Sequence, residues 1–155
     1  VAQEHFCTAA TQLIMAQLYP HIFATPRLNR RLVAACVGQE LHEVGLRMVA
    51  DLFEMEGWDT YYLGAHTPLQ SIAEAVSEQS AHVLAISATM TYHLPEVADL
   101  IAVVRRREPG SHVKILVGGY PFNTAANLWR TIGADGYAPD AVSAIAVADR
   151  LFLKD

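Results

Sequence analysis

The chain is predicted to fold as a flavodoxin-like, doubly wound α/β domain built on a five-stranded parallel sheet of strand order 2-1-3-4-5. Three observations lead there. Short apolar runs of strand length alternate with segments of helical periodicity along most of the sequence. Those runs are apolar throughout, as in parallel strands covered on both faces, and do not alternate in and out. The segments between them are long enough for right-handed helical crossovers, and 155 residues make one domain with a sizeable core.

Taken in order, residues Gln3 to Tyr19 carry Phe6, Ala10, Leu13, Ile14 and Leu18 at helical spacing. Pro20 and Pro26 break that pattern, so "YPHIFATPRLNR" (19–30) reads as a connecting loop. "RLVAACV" (31–37) is the first strand, and residues 44–56 a helix with Val44, Met48, Leu52 and Met55 on one face. "WDTYYLG" (58–64) is the second strand, followed by a helix from Pro68 to Ser80 with its proline near the start. "VLAIS" (83–87) is the third, followed by a helix over Pro95–Glu108. "VKILVGG" (113–119) is the fourth, followed by a short helix over Asn123–Ile132. "DGYA" (135–138) is a short fifth strand, and Ala141–Leu153 a closing helix. Residues 1–30 thus form a helix and linker ahead of a sheet domain spanning 31–155.

Composition narrows the function. A net charge of −5 argues against a grip on nucleic acid. The basic cluster Arg105-Arg106-Arg107 falls at a helix end, where it complements the dipole. No apolar stretch has membrane-spanning length and no signal peptide is visible, which points to the cytoplasm. Cys7 and Cys36 lack metal-type spacing and are read as buried packing in a reducing compartment. The chain opens directly in helical sequence at Val1, as a fragment of a longer protein would.

In the predicted architecture ligands bind beyond the carboxyl ends of the strands, at the switch point beside strands 1 and 3. The residues with chemistry gather there: Glu40, His42 and Gly45 after strand 1, Ser87 and Thr89 at the end of strand 3, Gly118 and Gly119 at the end of strand 4. Nucleotide binding is disfavoured, because no G-x-G-x-x-G and no Walker lysine is present. A flavin loop and the acidic pair of a phospho-acceptor are missing as well. What remains is an imidazole with a carboxylate two residues earlier, the pairing that orients a metal-bound histidine. One histidine without a Cys cluster does not make a zinc site. It does suit a metal that arrives with its equatorial ligands in place, as in haem or cobalamin.

These motifs resemble the cobalamin (B12)-binding domain family, whose signature is Asp-x-His-x-x-Gly, then Ser-x-Leu/Thr, then Gly-Gly. Here they stand as Glu40-Leu41-His42-Glu43-Val44-Gly45, Ser87-Ala88-Thr89 and Gly118-Gly119, and the resemblance extends from Arg31 to the C-terminus through "GWDTYYLGAHTP", "VGGYPFN" and "GADGYAPDA". The resemblance implies cobalamin held base-off, with His42 as the cobalt ligand, Gly118-Gly119 lining the slot for the nucleotide tail, and Ser87 and Thr89 bonding the buried base. Glu40 departs from the usual aspartate by one methylene, which puts its bond to His42 in question.

Within the family, "EHF" (4–6) resembles the Glu-His pair in the helical cap of B12-dependent photoreceptors related to MerR-type regulators, with Glu4 and His5 over the upper face of the cofactor and residues 1–30 as the remnant of that cap. The resemblance therefore implies a light-responsive sensory domain in signal transduction and transcription regulation, carrying adenosylcobalamin first, or methylcobalamin or hydroxocobalamin. Its output would run through a homo-oligomer or a regulatory protein partner. The alternative is a corrinoid methyl carrier for a methyltransferase system, against which Leu46 weighs, standing where carriers more often have lysine. A relative that also binds haem or bilin is the third reading. The chain is too short for a mutase barrel, and with no visible nucleophile or acid–base pair it is read as a non-enzyme.

Overall fold

The computed structural model describes residues 2–107 and 112–153, the side chains of Ala2 and Glu4 excepted. Five strands form its sheet: β1 (Arg31–Val37), β2 (Asp59–Thr67), β3 (Val83–Ser87), β4 (Lys114–Gly118) and β5 (Gly136–Tyr137). Their order is β2-β1-β3-β4-β5, and every pairing is parallel. The chain leaves β1 toward β2 on one side and returns to β3 on the other, which creates the switch point. Register brings the strand ends level: Cys36 pairs with Ser87, and Ser87 with Gly118. Three stretches remote in sequence thereby open onto one rim.

The helices are α1 (Ala2–Gln17), α2 (Tyr19–Ile22), α3 (Val44–Met55), α4 (Leu69–Glu78), α5 (Leu94–Arg107), α6 (Tyr120–Thr124), α7 (Leu128–Thr131) and α8 (Ala141–Phe152). On one face of the sheet Val33, Leu84, Ile86, Ile115 and Val117 pack against Ile72 and Val76 of α4 and Val97, Leu100 and Val104 of α5. On the other, Leu32, Ala34, Val83, Ala85 and Leu116 meet Leu46, Ala50 and Phe53 of α3 and Ala144 and Ala148 of α8. The second face is built largely from alanine, and this leaves room between sheet and helices. Trp58 is fully buried there, its ring edge-on to Phe53 at 5.2 Å.

Several expectations are corrected. The predicted loop 19–30 contains α2, a single turn opened by Pro20. The helix expected over 123–132 divides into α6 and α7, because Ala125 is extended at φ −127° and ψ 96°. On α3 the buried residues are Leu46, Ala50, Phe53 and Glu54, not the stripe that includes Met48 and Met55, which are exposed. The helix carries two apolar stripes, and the one holding Phe53 wins the sheet. Among the described residues of α1 only Met15 is buried, whereas Phe6, Leu13 and Ile14 are exposed, as is Leu18 just beyond its end. Cys36 is buried as expected, but Cys7 is exposed. Among the described residues, no helix is long and apolar enough to cross a membrane.

Candidate cofactor site at the strand ends

A cleft of about 900 Å³ opens at the carboxyl ends of β1, β3 and β4 and runs down between the sheet and helices α3 and α8. Its mouth holds His42, with Leu41 and Glu43 beside it. Ser87, Thr89, Gly118 and Gly119 line it from the strand ends, Val44 and Gly45 from the start of α3, and His5 and Thr8 from α1. All the positions proposed from the sequence therefore converge on one cavity, except two. Glu40 lies beneath the mouth, 1% exposed. The side chain of Glu4 falls outside the described residues.

Glu40 organises the mouth. Its Oε1 accepts hydrogen bonds from the backbone N–H of His42 at 3.1 Å and from His42 Nδ1 at 2.5 Å. Its Oε2 accepts from the N–H groups of Thr89 at 2.7 Å and Met90 at 3.2 Å. Burial works against the charge of this carboxylate. The bonds from Thr89, from the ring and N–H of His42 and from Met90 outweigh it and hold the carboxyl down to about 2. An ionised carboxylate is acceptor-only, so His42 Nδ1 carries the proton. That leaves Nε2 as the ring nitrogen at the mouth, with no hydrogen-bond partner among the described residues, and its lone pair is the one a metal would take. The extra methylene of Glu40 therefore does not break its bond to His42; it lets one side chain tie the loop after β1 to the loop after β3.

Glu43 fixes the other side of the loop. Its Oε2 accepts from Tyr62 Oη at 3.1 Å and the Ala65 N–H at 3.0 Å, and its Oε1 from Gln12 Nε2 at 3.2 Å. Burial, together with the Glu43 carboxylate, pushes the Tyr62 hydroxyl above its ordinary range. The nearby Cys36 thiol is pushed up to about 12 by burial, with the charges of Glu40 and Glu43 adding to it, and is no nucleophile at neutral pH.

Down the slot, the walls are small and apolar: Ala85, Ala138, Ala141 and Ala144, with Leu46, Val49 and Leu116. Gly119 has φ +107°, and a Cβ there would stand 2.1 Å from the carbonyl oxygen of Ala88. Only glycine lets these two strand-end loops approach so closely. Gly45 is different, for a Cβ there would meet nothing within 4 Å and would project into open space. At the far lip Asp140 caps α8, accepting from the Ser143 N–H at 2.7 Å, and this bond and that from the Ser143 hydroxyl lower its carboxyl. Thr8, Met48, Ala85 and Ala144 were missed by sequence reasoning, since small or apolar residues on helices and strands carry no mark that separates a cleft wall from a core.

Among the described residues no group of three or more His, Cys, Asp or Glu gathers to hold a metal ion. A family profile described as "B12 binding domain" matches residues 30–146. The chain belongs to the B12-binding domain family. Dimethylamine corrinoid protein 2 of Methanosarcina mazei is 31% identical over 147 residues, covering 94% of this chain and 66% of its own length. Dimethylamine corrinoid protein 3 of Methanosarcina acetivorans is 32% identical over 123 residues, covering 79% of this chain and 56% of its own. The structure of the monomethylamine corrinoid protein of Methanosarcina barkeri superposes with a TM-score of 0.82 at 22% identity, over 97% of this chain and 71% of that one. The chain spans between roughly half and two thirds of the length of the curated relatives it matches.

These relatives overturn the photoreceptor assignment and the sensory, signal-transduction and transcription-regulation roles that came with it. That assignment rested on Glu4 and His5 alone, whereas similarity to the corrinoid proteins runs along almost the whole chain. The preference for adenosylcobalamin came from the same assignment and loses its basis with it.

The residues present fit a B12 cofactor. A corrin ring supplies four equatorial nitrogens, so the protein needs to supply one donor, and His42 Nε2 is oriented for it by Glu40. The alanine-lined slot and the space beside Gly45 offer room for the cofactor's tail, and the Ser87 hydroxyl on the slot wall has no hydrogen-bond partner among the described residues.

Proposed function

We propose that the chain is the cofactor-bearing part of a corrinoid methyl carrier, which presents a methyl group to and from separate methyltransferases and is not itself an enzyme. One observation carries the reading: a histidine whose Nδ1 is committed to a buried carboxylate stands with Nε2 free at the mouth of a slot. It does so in a chain similar along 94% of its length to a dimethylamine corrinoid protein. When bound, cobalamin supplies a cobalt that can accept and release a methyl group.

The chain's own residues do the rest. His42 would be the lower cobalt ligand, and Glu40 holds its ring and tautomer. Because its hydrogen bonds hold the carboxyl down to about 2 in spite of burial, Glu40 stays ionised at neutral pH and keeps the ring N–H in place. Gly118, Gly119, Ser87 and the alanines of the slot would take the nucleotide tail. Leu46, where carriers more often have lysine, is 4% exposed and lines the slot wall, so this position serves packing here. His5 and Thr8 on α1 line the cleft nearest the exposed helix and would approach the cofactor from that side. The methyl donors in keeping with the relatives are small methylated amines, each delivered by a methyltransferase partner.

The test begins with methylcobalamin. The protein should retain it through gel filtration with the spectrum of a base-off, histidine-ligated form, and His42→Ala should lose that ligation. Failure to retain any cobalamin would exclude the reading. The protein loaded instead with hydroxocobalamin, and reduced to the cobalt(I) form by an added chemical reductant, should then be methylated when mixed with a methyltransferase for trimethylamine, dimethylamine or monomethylamine together with its substrate. Methylation by none of the three would remove the carrier role and leave cobalamin binding.

A further inference from the structure

The loop that carries His42 packs against the element after the neighbouring strand at a second place, which the contacts of Glu40 do not include. Gly38 opens this loop in the left-handed region, at φ +56°, where a side chain is strained. A Cβ at Gly38 would stand 1.5 Å from Oε2 of Glu96, so the Glu96 carboxylate fills the space the glycine leaves. Glu96 belongs to the first turn of α5, where the helix dipole favours a carboxylate. Its Oε1 lies 3.6 Å from Nδ1 of His93. His93 is 2% exposed, and this nitrogen has no hydrogen-bond partner in the structure. A nearly buried polar atom without a hydrogen bond is rare and calls for a reason.

The connectivity suggests one. His93 ends the short turn whose first amides hold Glu40: Thr89 and Met90 donate to Glu40, and the His93 N–H donates to the carbonyl of Met90 at 3.1 Å. Gly38 lies two residues before Glu40 on the opposite loop. Glu96 and His93 therefore brace both strands of the connection that fixes Glu40, and through it the ring of His42.

We propose that Glu96 and His93 are positioning residues for His42, which hold the entry of its loop so that Nε2 is presented to cobalt. Neither is expected to touch the cofactor. The proposal rests on the cobalamin reading, because its readout is the His42–cobalt bond.

The test uses the full chain with methylcobalamin and compares Glu96→Ala, Glu96→Gln and Gly38→Ala with the wild type. Two quantities are read separately: the cobalamin retained through gel filtration, and the ratio of histidine-ligated to unligated cofactor in its spectrum. The melting temperature of the cofactor-free protein is the control for folding. Glu96→Ala should lower the ratio by about threefold, less than the roughly tenfold expected for losing Glu40, the carboxylate bonded directly to His42, with retention changed by less than about twofold. Glu96→Gln keeps the size and an acceptor oxygen and should restore most of the ratio. Gly38→Ala pushes the carboxylate away from the other side and should reproduce the loss. A wild-type ratio in Glu96→Ala would overturn the proposal, as would a glutamine variant no better than alanine, or a loss that merely follows retention and melting temperature. If Glu96→Ala does not fold, a wild-type ratio in Gly38→Ala overturns it instead. A wild-type protein that retains cobalamin without histidine ligation, or not at all, would remove the cobalamin reading first and this proposal with it.

Discussion

The two faces of the sheet use the same strands for opposite ends. Toward α4 and α5 the strands present Val33, Leu84, Ile86, Ile115 and Val117, whose branched side chains pack into a buried core with those helices. Toward α3 and α8 they present Ala34, Ala85 and Leu116 against Ala50, Ala144 and Ala148, and a cleft of about 900 Å³ remains. Period-two alternation decides which residues go to which face, and side-chain volume decides whether that face is a core or a slot. The lesson is that a binding site in this fold is made by underfilling one face while the other carries the stability.

The contrast can be broken most severely on the filled face. Leu84→Ala should cost about 2–5 kcal/mol of stability in a denaturant titration, the range for a truncated core leucine, yet leave histidine ligation of bound methylcobalamin unchanged. Loss of ligation would show that the two faces are not independent.

Next in size is the charge at the head of the slot. Glu40 has its carboxyl lowered from 4.5 to about 2 in the folded state, so its contribution, on the order of 3 kcal/mol, is fully present above pH 4.5 and is lost as pH falls toward about 2. The stability advantage of the wild type over Glu40→Gln, measured by denaturation between pH 7 and pH 2.5, should therefore shrink with acid. An advantage that is constant with pH would mean the carboxylate is not held by these bonds.

Filling the slot should produce a smaller change in folding and a larger one in binding. Ala85→Leu adds volume where room exists, so it should cost less than about 1–3 kcal/mol of stability while sharply reducing cobalamin retention. Unaltered retention would place the cofactor elsewhere. The mildest probe is thiol labelling at pH 7.5. Cys7 is exposed and should react readily, and Cys36, buried with its thiol pushed up to about 12, should stay unlabelled until the protein unfolds.

Much of this was legible in the sequence for physical reasons that differ from element to element. The strands Arg31–Val37 and Val83–Ser87 fall where they were predicted, because uninterrupted apolar runs bounded by polar residues have one way to be buried. The core face of α3 was misjudged because two apolar stripes compete on it, and only the packing of Phe53 beside Trp58 selects between them. The cofactor family was readable from three motifs spaced along more than half the chain. Its branch was not, because Glu4 and His5 are two residues on a helix, and two residues recur by chance.

By itself the sequence determined the parallel sheet, its strand order, the gathering of Glu40, His42, Ser87 and Gly118-Gly119 at one rim, and the class of cofactor. The sheet and the gathering at its rim follow from hydrophobic periodicity and from motifs placed at strand ends, which are local properties of the chain; the class of cofactor follows from the resemblance of those motifs to a known family. Tertiary structure alone decided that Glu40 reaches both His42 and the amides of Thr89 and Met90, that Glu96 fills the space beside Gly38, and that the alanines of α8 and β3 leave a slot open. Apart from the local bond of Glu40 to His42, each of those depends on distances between atoms 49 or more residues apart, as with Glu40 and Thr89, or on volumes left between elements, and neither is encoded in any one stretch of sequence.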